Sequence, residues 1–154
     1  MAKTVADVMT PNPISVTPDT ILKDAIQLMA HNKVGGLPVL NADNDLVGIL
    51  SESDLMWQTT GIEMPAYIML LDSVIYLKNP IQYDQELHKA LGQLVKDVMT
   101  DHVITITPDQ SLREAAHLMH DKKVRRLPVV DANQQVVGIL TRSDIVREMA
   151  NSYT

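Results

Sequence analysis

Residues 138–144 read GILTRSD, and residues 48–54 read GILSESD. Each closes an apolar, strand-like run, VVGIL or LVGIL, and each then sets a hydroxyl, two spacers and a carboxylate in a row. The pattern [ST]-x-x-[DE] is that of a helix capping box, in which Thr141 or Ser51 caps and Asp144 or Asp54 answers it. A strand turning into a helix also presents free backbone N–H groups, a seat for an anion. A neighbouring carboxylate accepts the hydroxyls of a ribose, as acidic residues do in dinucleotide sites. Capping and nucleotide binding ask for the same residues, and one motif alone does not separate them.

Working outward, a shift of 90 places VADVMT (5–10) on VKDVMT (95–100), and the match runs without a gap to Gln58 and Glu148, with 25 of 54 paired positions identical. The chain is a duplication with an unrepeated middle. The expected organisation is a first copy at 1–58, an insertion and connecting helix at 59–94, and a second copy at 95–154, the copies related by a pseudo-twofold axis.

Each copy predicts the same elements. ISVT (14–17) and ITIT (104–107) alternate β-branched residues as strands do. TPD (17–19 and 107–109) reads as a helix start, with Thr as N-cap and Pro in the first turn. Ile21, Leu22, Ala25, Leu28 and Met29 then share one helical face, as do Leu112, Ala115, Leu118 and Met119. LPVL (37–40) and LPVV (127–130) are strands, and polar turns lead to the GIL strands and a second helix. The expected fold is α/β (α+β): two repeats, each strand–helix–strand–strand–helix with a small mixed sheet. In the middle, MPAYIMLLDSVIYL (64–77) reads as core or interface, and Leu87, Leu91 and Leu94 mark an amphipathic helix.

The bulk composition narrows function. The length, 154 residues, suits one compact domain. A net charge of −6, one Trp and no Phe argue against a nucleic-acid partner. The absence of cysteine removes disulfides, thiol catalysis and cysteine-ligated zinc. The apolar stretch at 64–77 is too short to span a bilayer, so no membrane insertion is expected. MAKTVADVMTPNP lacks a secretory h-region, and a cytoplasmic location is expected.

Charge is divided unequally between the copies. All five arginines, Arg113, Arg125, Arg126, Arg142 and Arg147, lie in the second. Copy one has 2 basic and 7 acidic residues, a net −5; copy two has 8 of each, a net 0. VRRLP (124–128) replaces VGGLP (34–38), and Arg142 stands where copy one has Glu52. A phosphate is well served by a planar guanidinium. His117 and His120, at i and i+3, have no third ligand at metal spacing and read as surface histidines. Trp57 follows the first motif and aligns with Arg147. No P-loop, dinucleotide fingerprint, zincin or serine-hydrolase motif occurs, and no nucleophile–base pair is suggested by spacing. No enzyme is expected.

With VMT, ISVTPD or ITITPD, LPVL or LPVVD, and GILSESD or GILTRSD repeated in register, the chain resembles a stand-alone tandem pair of CBS (cystathionine-β-synthase) domains, a Bateman module. The resemblance implies two clefts where adenosine compounds bind: AMP, ADP, ATP, S-adenosylmethionine, NAD-type molecules or cyclic dinucleotides. Carried across, it implies Thr141 and Asp144 on phosphate and ribose, Arg125 and Arg126 on phosphate, Ile104 and Thr105 along the base, and Arg142 beside them. For a second, weaker cleft it implies Ser51, Asp54, Ile14, Ser15, Gly35 and Gly36. No catalytic cofactor and no metal are implied. The expected function is a non-enzymatic regulatory module that binds an adenine nucleotide and signals by altering partner or self-association, as a homodimer and with an unidentified protein partner. The alternatives are a ligand-free structural interaction module and a sensor of another adenosine ligand, such as S-adenosylmethionine, NAD or cyclic di-AMP.

Overall fold

The structure is a computed structural model that describes residues 3–58 and 93–153. The readings of 64–77, of Leu87 and Leu91, and of the Trp57 side chain lie outside the described residues. The described elements, in order, are α1 (Val5–Val8), β1 (Thr10–Pro11), α2 (Leu22–Asn32), β2 (Gly36–Leu40), β3 (Leu46–Ser51), α3 (Glu52–Gln58), α4 (Val95–Val98), α5 (Leu112–Lys122), β4 (Arg126–Val130), β5 (Val136–Thr141) and α6 (Arg142–Asn151). The chain packs as two compact units. One lies within Met1–Ile14, Ala42–Val47 and His102–Thr154, the other within Ser15–Asn41 and Gly48–Asp101.

The leaders of the two copies are exchanged. In the first unit Val5 N–H donates to the Gln110 carbonyl at 2.8 Å and Ala6 N–H to Pro108 at 2.9 Å, so α1 docks on the second copy's Thr-Pro-Asp turn. In the second unit Val95 N–H donates to Thr20 at 2.9 Å and Lys96 N–H to Pro18 at 3.0 Å. These turns are therefore not helix starts, contrary to the reading of TPD. Their carbonyls receive the leader helix, and α2 and α5 begin later, after Ile21 and Ser111. Ser111 is a working cap, its Oγ accepting from Glu114 N–H at 3.1 Å; Ile21 has no side-chain acceptor.

In the first unit β4 pairs antiparallel with β5, and β1 adds to the far edge of β5 through Thr10↔Ile139 and Pro11↔Gly138. The expected strand at 104–107 contracts to one parallel bridge, Ile106↔Val129. Its counterpart at 14–17 contracts to Val16↔Val39. The turn at Thr107 or Thr17 follows at once and takes the backbone out of the sheet. The core is Val5, Ile106, Ala115, Met119, Leu127, Val129 and Leu140, with Met9, Leu112 and Ile145 against it.

In the second unit Thr100 bridges Ile49 of β3, as Thr10 meets Ile139, and β2 and β3 form a two-stranded sheet. Its helix α2 buries Leu22, Ala25, Ile26 and Met29; Ile21, expected inside, is 48% exposed, and Leu28 is only half-buried. The repeated glycine of GIL has a steric cause. A Cβ on Gly48 would lie 2.6 Å from Met99 Sδ and 3.0 Å from the Thr100 carbonyl oxygen. One on Gly138 would collide with Met9 Sδ and lie 3.0 Å from the Thr10 carbonyl oxygen. The methionine of VMT thus closes over the glycine of GIL in each unit, which links the two most repetitive stretches of the sequence.

Candidate functional site

In the first unit the predicted residues converge on one end of the sheet. Arg126 opens β4 directly opposite Thr141, the last residue of β5, and Arg142 N–H donates to the Arg125 carbonyl at 3.0 Å. The parallel bridge at Ile106 brings the segment carrying half-buried Ile104 and Thr105 back along β4 toward this same end. Arg125 and Arg142 are exposed and Arg126 is half-buried.

Helix α6 starts here with a full capping box. Thr141 N–H donates to Asp144 Oδ2 at 2.9 Å, and Asp144 N–H donates to Thr141 Oγ1 at 3.2 Å. The Thr141 hydroxyl accepts in this arrangement, and among the described residues nothing accepts its proton. Asp144 Oδ1 receives the Arg147 guanidinium at 3.2 Å. That side chain is 69% exposed, so as a surface ion pair it contributes about 0–1 kcal/mol.

The first copy's motif is wired differently. Ser51 N–H donates to Asp54 Oδ2 at 2.9 Å and the Ser51 hydroxyl donates to the same oxygen at 3.1 Å. Asp54 Oδ1 accepts from the Thr100 hydroxyl at 2.6 Å. Asp54 N–H donates back to Ser51 Oγ at 3.3 Å, which completes the cap. Glu52 N–H donates to the Gly35 carbonyl at 3.1 Å, so Gly35 stands beside the motif as Arg125 does in the other unit. Gly36 is buried at the start of β2, and Ser15 is exposed. Ile14 is exposed and belongs to the other unit.

Among the described residues the only buried charged side chains are Asp54 and Asp144, each 8% exposed. A carboxylate removed from water needs compensating hydrogen bonds, and both have them. Sequence reasoning missed two of the groups that supply these, Thr100 and Arg147. Thr100 was visible only as part of VMT, and Arg147 only as an arginine aligned with Trp57.

The remaining candidates fall elsewhere. His117 and His120 line an open groove of about 870 Å³ on α5 and α6, with Lys3, Arg113, Met149 and Glu148. Lys3 is paired with Glu148 at 2.8 Å, a contact that raises the lysine's pKa. None of the predicted ligand residues lines this groove. Among the described residues no group of three or more His, Cys, Asp or Glu is placed to hold a metal ion, and no helix is long and apolar enough to cross a membrane.

Comparison with known proteins gives this geometry a family. The CBS domain profile matches residues 5–58 and 95–151. The chain belongs to the CBS-domain family. Among its CBS relatives is an uncharacterized protein of Methanocaldococcus jannaschii, MJ1426, 37% identical over an alignment that covers 94% of this chain and 90% of the relative. The chloroplastic CBS domain-containing protein CBSX2 of Arabidopsis thaliana is 36% identical over 148 residues. This chain spans 62% of that protein's length. A crystal structure of CBSX2 in complex with AMP superposes with a TM-score of 0.71 at 33% identity, covering 98% of each chain. The α+β architecture with small sheets is that of a CBS pair.

Proposed function

We propose that this CBS pair is a non-enzymatic regulatory module that binds an adenine nucleotide, AMP, ADP or ATP, at the Thr141–Asp144 end of β4 and β5. The observation that carries this reading is the setting of Thr141: its hydroxyl caps α6 at a helix N-terminus flanked by Arg125, Arg126 and Arg142, and among the described residues nothing accepts its proton. Thr141 and the arginines take the phosphate, Asp144 the ribose hydroxyls, and Ile104 and Thr105 flank the base. The AMP complex of CBSX2 supports an adenosine ligand. Signalling follows from different affinities of the bound and free states for a partner or for a second copy of the chain. Exposed Val146, Met149 and Tyr153 offer apolar surface for such an association.

The Ser51–Asp54 motif favours the other reading, a structural cap. Its hydroxyl already donates to Asp54, the second carboxylate oxygen is held by Thr100, and its own copy contains no arginine. We therefore assign it the weaker or unoccupied role. Calorimetric titration with AMP, ATP, S-adenosylmethionine and cyclic di-AMP tests the assignment: one saturable adenosine ligand, lost on changing Asp144 and retained on changing Asp54, is the expected result. Equal losses in both variants overturn the ranking, and no binding of any ligand leaves the structural module.

A further inference from the structure

The two motif aspartates are equally buried and each accepts the backbone N–H of its cap residue, yet the other oxygen of each is met by a different kind of donor. Asp54 Oδ1 is held by a neutral hydroxyl, that of Thr100, at 2.6 Å. Asp144 Oδ1 is held by a cation, Arg147, at 3.2 Å. The position that aligns with Arg147 in the first copy is Trp57, and the one that aligns with Arg142 is Glu52. A nucleotide at the Thr141–Asp144 site brings its negative phosphate close to a buried carboxylate. Like charges in a partly desolvated site repel strongly unless a cation sits between or beside them.

From this contrast we infer that Arg147 is a specificity-determining residue of the site: by neutralising Asp144 it lets the site prefer phosphate-bearing nucleosides over the same nucleosides without phosphate. This rests on the adenine-nucleotide reading above. Arg147 acts through Asp144 as a positioning and charge-compensating residue. Its guanidinium occupies one lone pair of Oδ1, and a carboxylate oxygen has a second for a ribose hydroxyl. Because the side chain is mostly in solvent, it can stay on Asp144 or shift with a ligand without unpacking the core.

The test compares AMP with adenosine by calorimetry on the full chain, in wild type, Arg147→Met, Arg147→Gln and Arg147→Lys, with melting curves as the folding check. In Arg147→Met and Arg147→Gln the affinity for AMP falls about tenfold while that for adenosine stays within about twofold, so the preference for phosphate collapses. Arg147→Lys, which keeps the charge, restores most of the AMP affinity. Parallel losses for both ligands overturn the inference, since they mean that Arg147 only orients Asp144. An unchanged AMP affinity overturns it as well. A wild-type protein that binds neither ligand contradicts the nucleotide reading itself, and this inference falls with it.

Discussion

Thr100, at the end of one copy's leader, donates its hydroxyl to Asp54, the buried carboxylate of the other copy's motif, at 2.6 Å. Its counterpart Thr10 pairs with Ile139 in the same way but makes no bond to Asp144. The leader exchange thus contributes a polar lock to one unit and not to the other.

Thr100→Val removes a hydrogen bond to a part-buried carboxylate and is expected to destabilise the protein by about 1.5–3 kcal/mol. Thr10→Val, at an exposed hydroxyl without that partner, is expected to stay within about 0.5 kcal/mol. Urea unfolding of both variants measures the difference. Equal effects contradict the lock.

Gly138→Ala places a methyl group against Met9 Sδ and the Thr10 carbonyl, and is expected to cost about 1–3 kcal/mol by overpacking. The thioether can give way, and the carbonyl less easily. Met9→Ala in the same background therefore recovers part of the loss, and a double-mutant cycle reads the coupling. Strict additivity means that the leader methionine is not what excludes a side chain at Gly138.

Asp7 titrates below the ordinary carboxylate range because the Thr4 N–H and hydroxyl donate to its charged form. The sign follows from linkage: a folded-state value below the unfolded one stabilises above the unfolded value, and the contribution is lost as pH falls through the lowered folded value. Asp7→Asn is thus expected to melt below wild type at neutral pH, with the two curves converging in acid. A gap that persists in acid contradicts this account of the α1 start.

Much of the architecture was legible because a duplication reads itself twice: any pattern kept in both copies, such as LPV and GIL, stands out from the noise of a single chain. The LPV and GIL strands and the bodies of α2 and α5 lie where pattern and periodicity placed them, whereas the strands expected at 14–17 and 104–107 are single bridges. The exchange of leaders was not legible, since a period or a cap reports on neighbours in sequence, whereas α1 finds its partners at 108–110. The same ignorance made Thr17-Pro18-Asp19 look like a helix start. Its carbonyls looked free for a helix, although Lys96 N–H takes that of Pro18 and Val95 N–H that of Thr20 next to it. Ile21 and Ile26 differ for a related reason. Both suit the apolar stripe of α2, and packing buries the second.

The candidate site was legible as residue types and as an imbalance of arginine, because hydroxyl, carboxylate and guanidinium are chemically distinctive. What occupied each oxygen was not. Ser51 and Thr141 are equivalent in the motif, yet the Ser51 hydroxyl donates to its aspartate, whereas among the described residues the Thr141 hydroxyl has no acceptor. That distinction depends on hydroxyl orientation and on which third group reaches the carboxylate, Thr100 or Arg147.

The central claim is that Asp144 and Thr141 hold an adenine nucleotide. Titration of AMP into the wild type, Asp144→Asn and Asp144→Ala, each first shown to be folded by its melting curve, tests it most directly. Asparagine keeps an acceptor for the Thr141 N–H, so the cap survives while the charge proposed to hold the ribose is gone. The account predicts saturable binding in the wild type and a loss of about tenfold or more in both variants. AMP binding of undiminished affinity in folded Asp144→Asn and Asp144→Ala, or no binding by the wild type, contradicts it.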